Sequence, residues 1–392
     1  MKIIKYTYKF KINPTEDQKV LLNKHFGSVR WVYNYFLNQR KEEYLNNKKS
    51  INYYDQAKYL TEVKKDLTWL KEINSQTLQY SLNCLDIAYQ GFFNKRTQFP
   101  NFKSKRSKNS FTVPQNVKVK DGKLLIPKFK GIKMILDREI KGKIGRATIS
   151  KTPTGKYFVS ILTEREYNPV NKTNKSVGID LGLKDFIVLS TGSKIKNSRF
   201  LKHYEHQLKL NQKSLSRKTK GSNRYERQRL KVAKINEKIS NSRMDLIHKV
   251  SLNLVKNFDV IYLEDLNIKG MVKNHKLSKS IQDASWGKFI EVLTYKANWN
   301  DKEVIHIDRF FPSSKTCNSC GWINNSLTLK DRCWICKCGL EVDRDLNAAK
   351  NILNEGLRLN NISVGTTDHG RGAKIRPDLS GISVETSKEK TI

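Results

Sequence analysis

Five of the six cysteines, Cys317, Cys320, Cys333, Cys336 and Cys338, stand in one short stretch near the end of the chain. That stretch has too few large apolar residues to fold alone, so a cross-link must hold it. With nothing else pointing to export, the spacing reads as metal binding rather than disulfides. Cys317-Asn-Ser-Cys320-Gly321 is zinc-knuckle spacing. The second half is open. Cys333-Trp-Ile-Cys336 has the two-residue gap, while Cys336-Lys-Cys338-Gly339 repeats the Cys-Gly ending. Four thiolates close a tetrahedral shell and leave no position for substrate, so such a site is structural. The sixth, Cys84, lies in the helical pattern LNCLDIAYQGFF and is expected as a small buried hydrophobe.

The chain has 392 residues, with 75 Lys plus Arg against 37 Asp plus Glu, a net charge of +38. Such an excess calls for a polyanion, of which nucleic acid is the usual one. Codon bias can exchange Arg for Lys, but it does not make bases outnumber acids two to one. No apolar run approaches the roughly 20 residues of a spanning helix. The start, MKIIKYTYKFKINP, interrupts its apolar residues with Lys and lacks a signal-peptide core. A membrane role is not expected.

Residues 2–11 alternate like a strand. NPTEDQ then opens a helix, with Thr15 as N-cap and Gln18 three residues on. Residues 15–95 read as mostly helical. Trp31, Tyr35 and Phe36 could stack on bases, but their helical spacing favours core packing. From Lys95 to Lys108 there are six basic residues and no acid, a loop suited to phosphate. From 110 to 170 short strands follow, with Asp121-Gly122 as a hairpin turn. The first strand could close this sheet into a small barrel, leaving the helices as an insertion. Residues 200–257 form a basic helical region broken at KTKGSN. Val232, Ile235, Ile239, Leu246, Val250 and Leu254 mark its packed face. A helix is expected near 282–299, a strand at KEVIHIDRF, and a last helix at DRDLNAAKNILNEGL. Residues 358–392 read as a weakly ordered tail.

Three acids stand at element ends: Asp180 in SVGIDLGLKDF, Glu264 in VIYLEDLN and Asp345 in DRDLNAAKN. Strand ends and a helix start that converge on one face of a mixed sheet make a ribonuclease-H-like site, in which dispersed carboxylates share two divalent ions. Mg²⁺ prefers hard oxygen ligands and keeps several waters, so three carboxylates suffice. The bland reading is that each acid caps a turn. Asp185 and Asp265 are nearby competitors. Asp343 competes with Asp345, since both would favour the helix dipole. Arg344 is open between phosphate contact and plain solvation.

GIDLGLKDF, YLEDLNIKGM, SIQDASWGKF, DRFFPSSKTCNSCG and CGLEVDRDLNAAKNIL, taken together and in this order, resemble the TnpB (OrfB) family of insertion sequences. QFPNFKSK and KINEKISNSRMDLIHK add to the resemblance, which spans about residues 1–357. It implies an α/β multidomain chain and an RNA-guided DNA endonuclease, in a family ancestral to type V CRISPR effectors. The implied parts are a wedge β-barrel (1–12 and 108–172) and a helical recognition insertion (13–107). A RuvC-type nuclease domain (173–310 and 341–357) and a zinc ribbon that binds target nucleic acid (311–340) complete it. The resemblance carries the catalytic, Mg²⁺-binding acids onto Asp180, Glu264 and Asp345. It carries the zinc ligands onto Cys317, Cys320, Cys336 and Cys338, with Cys333 as the alternative to Cys336. Two catalytic Mg²⁺ ions, one structural Zn²⁺ and a guide RNA from the transposon end are implied. So are a double-stranded DNA target with an adjacent motif and a cytoplasmic, nucleoid-associated location in a bacterium.

Two rivals stand beside this. A DDE-like DNA transposase would join strands with the same acids. A non-catalytic nucleic-acid-binding regulator would bind without cutting, but such relatives typically lose acids that this chain keeps.

Overall fold

The structure, a computed structural model, describes residues 1–105, 108–328 and 330–365. It divides into two compact units, one largely of residues 3–166, the other from 167 onward.

The first unit opens on β1 (Lys2–Asn13) and three helices, α1 (Glu16–Asn47), α2 (Tyr53–Asp66) and α3 (Ser75–Phe93), with a 3-10 turn at Thr68–Glu72. Then come β2 (Asn109–Val113), β3 (Lys118–Lys120), β4 (Lys123–Leu125), β5 (Ile132–Ile135), β6 (Lys143–Lys151) and β7 (Tyr157–Tyr167). The α1 start is a capping box. Thr15 Oγ1 accepts from Gln18 N–H, and Gln18 Oε1 accepts from Thr15 N–H. Asp121 and Gly122, both at positive φ, turn β3 into β4.

The seven strands run β2-β6-β7-β1-β5-β4-β3. This sheet is open, so the expected barrel is not closed. Its β3 edge is only three residues long, and both lysines of that strand are exposed, a charged end that discourages further pairing. The helices and the sheet share one core, with Phe10 and Ile12 from β1, Leu22 and Phe36 from α1, Leu78 and Leu82 from α3, and Ile149 and Val159 from β6 and β7.

The second unit contains β8 (Ser176–Leu181), β9 (Asp185–Leu189), β10 (Lys194–Lys196), α4 (Phe200–Ser216), α5 (Asn223–Asn257) and β11 (Val260–Glu264). It continues with α6 (Ile268–Met271), α7 (His275–Ala284), α8 (Trp286–Trp299) and β12 (Glu303–Ile307). A two-stranded ribbon, β13 (Cys333–Ile335) and β14 (Glu341–Asp343), leads into α9 (Arg344–Gly365). The main sheet runs β10-β9-β8-β11-β12. Strands β8, β11 and β12 are parallel, β9 runs antiparallel to β8, and β10 antiparallel to β9.

Two acids hold this frame. Asp259 accepts the Thr173 and Asn174 N–H groups and lies 3.1 Å from Lys302 Nζ, joining the lower ends of β8, β11 and β12. Asp283 accepts Arg243 from α5 and the Leu201 N–H of α4.

The expected helix at 282–299 is two helices, because Ser285 adopts a left-handed conformation between α7 and α8. Helix α9 runs to Gly365, past residue 358 where the tail was expected to begin. Leu359 packs against the Tyr262–Ile307–Ile352 cluster, which carries the helix onward. Residues 366–392 lie outside the described residues. Among the described residues no helix is long and apolar enough to cross a membrane.

Candidate metal and nuclease centre

Side chains alternate across a strand, so Gly178 and Asp180 share one face of β8, and Tyr262 and Glu264 share one face of β11. The two strands pair in parallel through Leu263 and Ile179, and the next step sets Glu264 beside Asp180. Helix α9 crosses that face. It comes so close that a Cβ on Gly178 would collide with the Ala349 carbonyl and the Leu353 N–H. A Cβ on Gly356 would strike the Tyr262 ring. Two glycines, one on each element, therefore let the helix lie down on the sheet. Asp345, one turn before Ala349, is delivered above the strand ends.

Asp180 feels the other two acids. Burial, and then the negative charges of Glu264 and Asp345, push the Asp180 carboxyl up to about 7, against the pull of Arg344. Burial also raises Glu264, opposed by the hydroxyl of Ser313, which donates to Glu264 Oε1. Asp345 has Arg332 at 3.4 Å and Arg344 at 3.5 Å. Among the described residues, the cysteine group is the one set of candidate ligands whose atoms all lie within 4.8 Å.

The competing acids have other work. Asp343 caps α9, accepting the N–H groups of Asp345 (3.1 Å) and Leu346 (3.0 Å), and pairs with Lys194 at 2.6 Å. Asp265 pairs with Arg309. Asp185 opens β9.

Cys317, Cys320, Cys336 and Cys338 form the cysteine group. The Cys317–Cys338 sulfurs are 3.9 Å apart and the Cys320–Cys336 sulfurs 3.5 Å. Zinc–sulfur bonds of about 2.3 Å in a tetrahedron set sulfurs about 3.8 Å apart, so the group fits that ion. Each half ends in a glycine at positive φ, Gly321 and Gly339, whose N–H returns to Cys317 O and Cys336 O. Burial opposes ionisation of Cys317, but the Cys320 and Ser319 N–H groups outweigh it and bring the thiol down to about 7. Cys333 is exposed on β13 opposite Asp343, outside the group. Trp334 and Val342 pack beside Cys317 and Cys336 as a small core.

Two residues on α9 were missed by sequence reasoning. Asn347 and Asn351, one turn apart on α9, both donate to Thr316 O, at 2.7 and 2.6 Å, and Asn351 also donates to Ser313 O. Asn347 Oδ1 accepts the Asn318 N–H. They fasten the first cysteine loop, and with it Ser313, to the helix that carries Asp345. The only signal was the spacing of two asparagines in LNAAKN.

The chain matches three family models. One, described as "Probable transposase" (OrfB of the IS605 type), covers residues 158–275. "Cas12f1-like, TNB domain" covers 286–352. "Helix-turn-helix domain" covers 1–49, where this chain has a strand and one 32-residue helix. A Streptomyces pristinaespiralis protein named "Putative RNA-guided DNA endonuclease" is 36% identical over 364 residues, covering 91% of this chain and 90% of that protein. An Escherichia coli K12 protein of the same description, InsQ, is 31% identical over 370 residues, covering 89% and 92%. In fold, the chain is similar to the protein in a cryo-EM structure of a Cas12f1–sgRNA–target DNA complex, with a TM-score of 0.57 at 14% identity, covering 90% of this chain and 99% of that one. The chain belongs to the TnpB (OrfB, IS605-type) family.

Proposed function

We propose that this protein is an RNA-guided DNA endonuclease whose cutting site is the cluster of Asp180, Glu264 and Asp345 on a RuvC-type, ribonuclease-H-like sheet. The observation that carries the reading is the convergence of the three acids under α9, close enough that two of them help raise the third. The strand order, with three parallel strands flanked by an antiparallel pair, supports the nuclease-fold assignment. So do the names of the two bacterial relatives.

Asp180, Glu264 and Asp345 would hold two Mg²⁺ ions, since hard carboxylate oxygens suit that ion and dispersed carboxylates can share a pair of them. Bound there, the ions supply an activated water and neutralise the leaving oxygen of a phosphodiester. The chain's own groups do the rest. Ser313 fixes one oxygen of Glu264. Arg332 and Arg344 bring positive charge to the edge of the cluster, where a phosphate would sit. Cys317, Cys320, Cys336 and Cys338 would hold one structural Zn²⁺.

Target choice rests on a guide RNA from the transposon end, which pairs with one DNA strand while the protein holds the backbone through Lys and Arg. A short motif beside the target completes recognition. In this reading the sheet of the first unit is the wedge, its helices the recognition insertion, and residues 311–340 the target-binding ribbon. The work is done in the cytoplasm, on the nucleoid. Sequencing the RNA that co-purifies with the protein tests this: a discrete transposon-end species is expected, and bulk unselective RNA would overturn it. The description "Probable transposase" favours one rival, strand transfer by the same acids. Joined products from a supplied transposon end, without RNA, would establish that rival.

A further inference from the structure

We propose that the outer face of α1 holds a stacking site for one unpaired nucleotide of the guide RNA, its base against Trp31, Tyr35 and Trp69 and its phosphate toward Arg30 and Lys105. The proposal rests on the RNA-guided reading above and adds a place on the protein.

The site is a groove of about 560 Å³ lined by Gly27, Arg30, Trp31, Asn34, Tyr35, Asn38, Trp69 and Lys105. Its α1 residues follow helical spacing along one stripe, where Trp31 and Tyr35 pack at the edge of the core and stay half-buried. Phe36, the third aromatic of the sequence reading, points the other way and is fully buried. Trp31 and Tyr35 stack with ring centroids 4.7 Å apart, and Trp69 stands edge-on to Trp31 at 5.4 Å. Trp69 is 40% exposed, a poor position for a tryptophan that only packs. Gly27 leaves open space where a side chain would otherwise intrude.

Charge gives the groove a direction. Among the described residues Arg30 has no hydrogen-bond or ion-pair partner. Asn34 clamps Lys103 in both directions (Asn34 Nδ2 to Lys103 O, 2.9 Å; Lys103 N to Asn34 Oδ1, 2.8 Å), which brings Lys105 to the rim. No acid lines the groove. The nearest carboxylate on α1, Glu42, is held by Asn38 at the far end. A phosphate is therefore favoured at the Arg30 end and a flat base along the rings. Both asparagine amides are engaged by the protein, so stacking rather than edge reading dominates and any base is accepted. RNA is the occupant because, in the RNA-guided reading, the protein holds it before any DNA is opened, and its loops offer unstacked bases to aromatic rings.

The test uses the protein purified with its own RNA. Ultraviolet crosslinking, digestion and mass spectrometry should find a ribonucleotide adduct on peptides carrying Trp31, Tyr35 or Trp69. Trp69→Ala should weaken guide RNA binding about 5- to 150-fold. Arg30→Gln, at a partly exposed and unpartnered position, spares the packing and should lower affinity and make it less salt-dependent. RNA that binds normally to both variants, with adducts elsewhere, would overturn the site and leave the RNA-guided reading intact. A deoxynucleotide adduct in the groove would overturn the RNA assignment. A dimer abolished by Trp69→Ala, with RNA binding unchanged, would show the groove to be a contact between copies. Absence of any RNA would overturn both the site and the reading.

Discussion

Ser313 donates its hydroxyl proton to Glu264, so the loop that leads into the first cysteine pair touches the candidate nuclease site directly. The same loop is tied to α9 by Asn347 and Asn351. The cysteine ribbon and the acid cluster are thus built on one network. Ser313→Ala should leave zinc content and folding unchanged. It should slow single-turnover cleavage about ten- to a hundredfold, the scale of a hydrogen bond to a charged group. It should also weaken Mg²⁺ binding by calorimetry. Unchanged cleavage and ion affinity would remove Ser313 from the site.

Gly178→Ala tests the seat of the helix. The added methyl meets the backbone of α9, which no rotamer change can move. Overpacking of this kind costs about 1–3 kcal/mol. The expected result is a lower Tm together with loss of cleavage, since Asp345 moves with the helix. A variant of normal stability and activity would show that α9 does not press on β8.

Cys333 and Cys336 have opposite expectations. Cys336→Ser should abolish bound zinc by elemental analysis and loosen the ribbon, whose small core is Trp334 and Val342 with Trp322 and Leu327 packed against them. Cys333→Ser should keep one zinc per chain. The reverse pattern would reassign the fourth ligand.

The Asp259–Lys302 pair sets a pH dependence. Burial works to raise Asp259, but the Thr173 and Asn174 N–H groups and Lys302 outweigh it and hold the carboxyl at about 2. A depressed carboxyl adds stability above its unfolded value, and that contribution is lost as pH falls from about 4 to about 2. Lys302 is 3% exposed, so Asp259→Asn strands a buried charge and should cost about 3–5 kcal/mol at neutral pH. The gap between variant and parent should narrow in acid. A gap of constant size in chemical denaturation from pH 7 to pH 2 would contradict this account.

Much of the second unit was legible because its signals are local. Asp180 and Glu264 end short β-branched strands, and Asp345 follows a capping acid, so each position could be read from its neighbours. Choosing Asp345 over Asp343 rests on the family resemblance; in the structure Asp343 accepts N–H groups at the start of α9, which is compatible with the proposed role of Asp345. What stayed hidden was non-local. The Gly178 contact with α9 spans some 170 residues, and no local rule marks that glycine. The open sheet of the first unit was hidden for the same reason, because strand pairing across an 80-residue helical block leaves no mark on either strand. Trp31, Tyr35 and Phe36 show how far periodicity goes. It finds the helix, but only tertiary packing decides that Phe36 is fully buried while Trp31 and Tyr35, at the edge of the core, line a groove.

The most direct test of the central claim is cleavage of a plasmid that carries a sequence matching the co-purified RNA, in Mg²⁺, by the parent protein and by Asp180→Ala. The account predicts cutting at the matched site by the parent, and no cutting by the variant with RNA binding retained. Cleavage by Asp180→Ala at the parent's rate would contradict it.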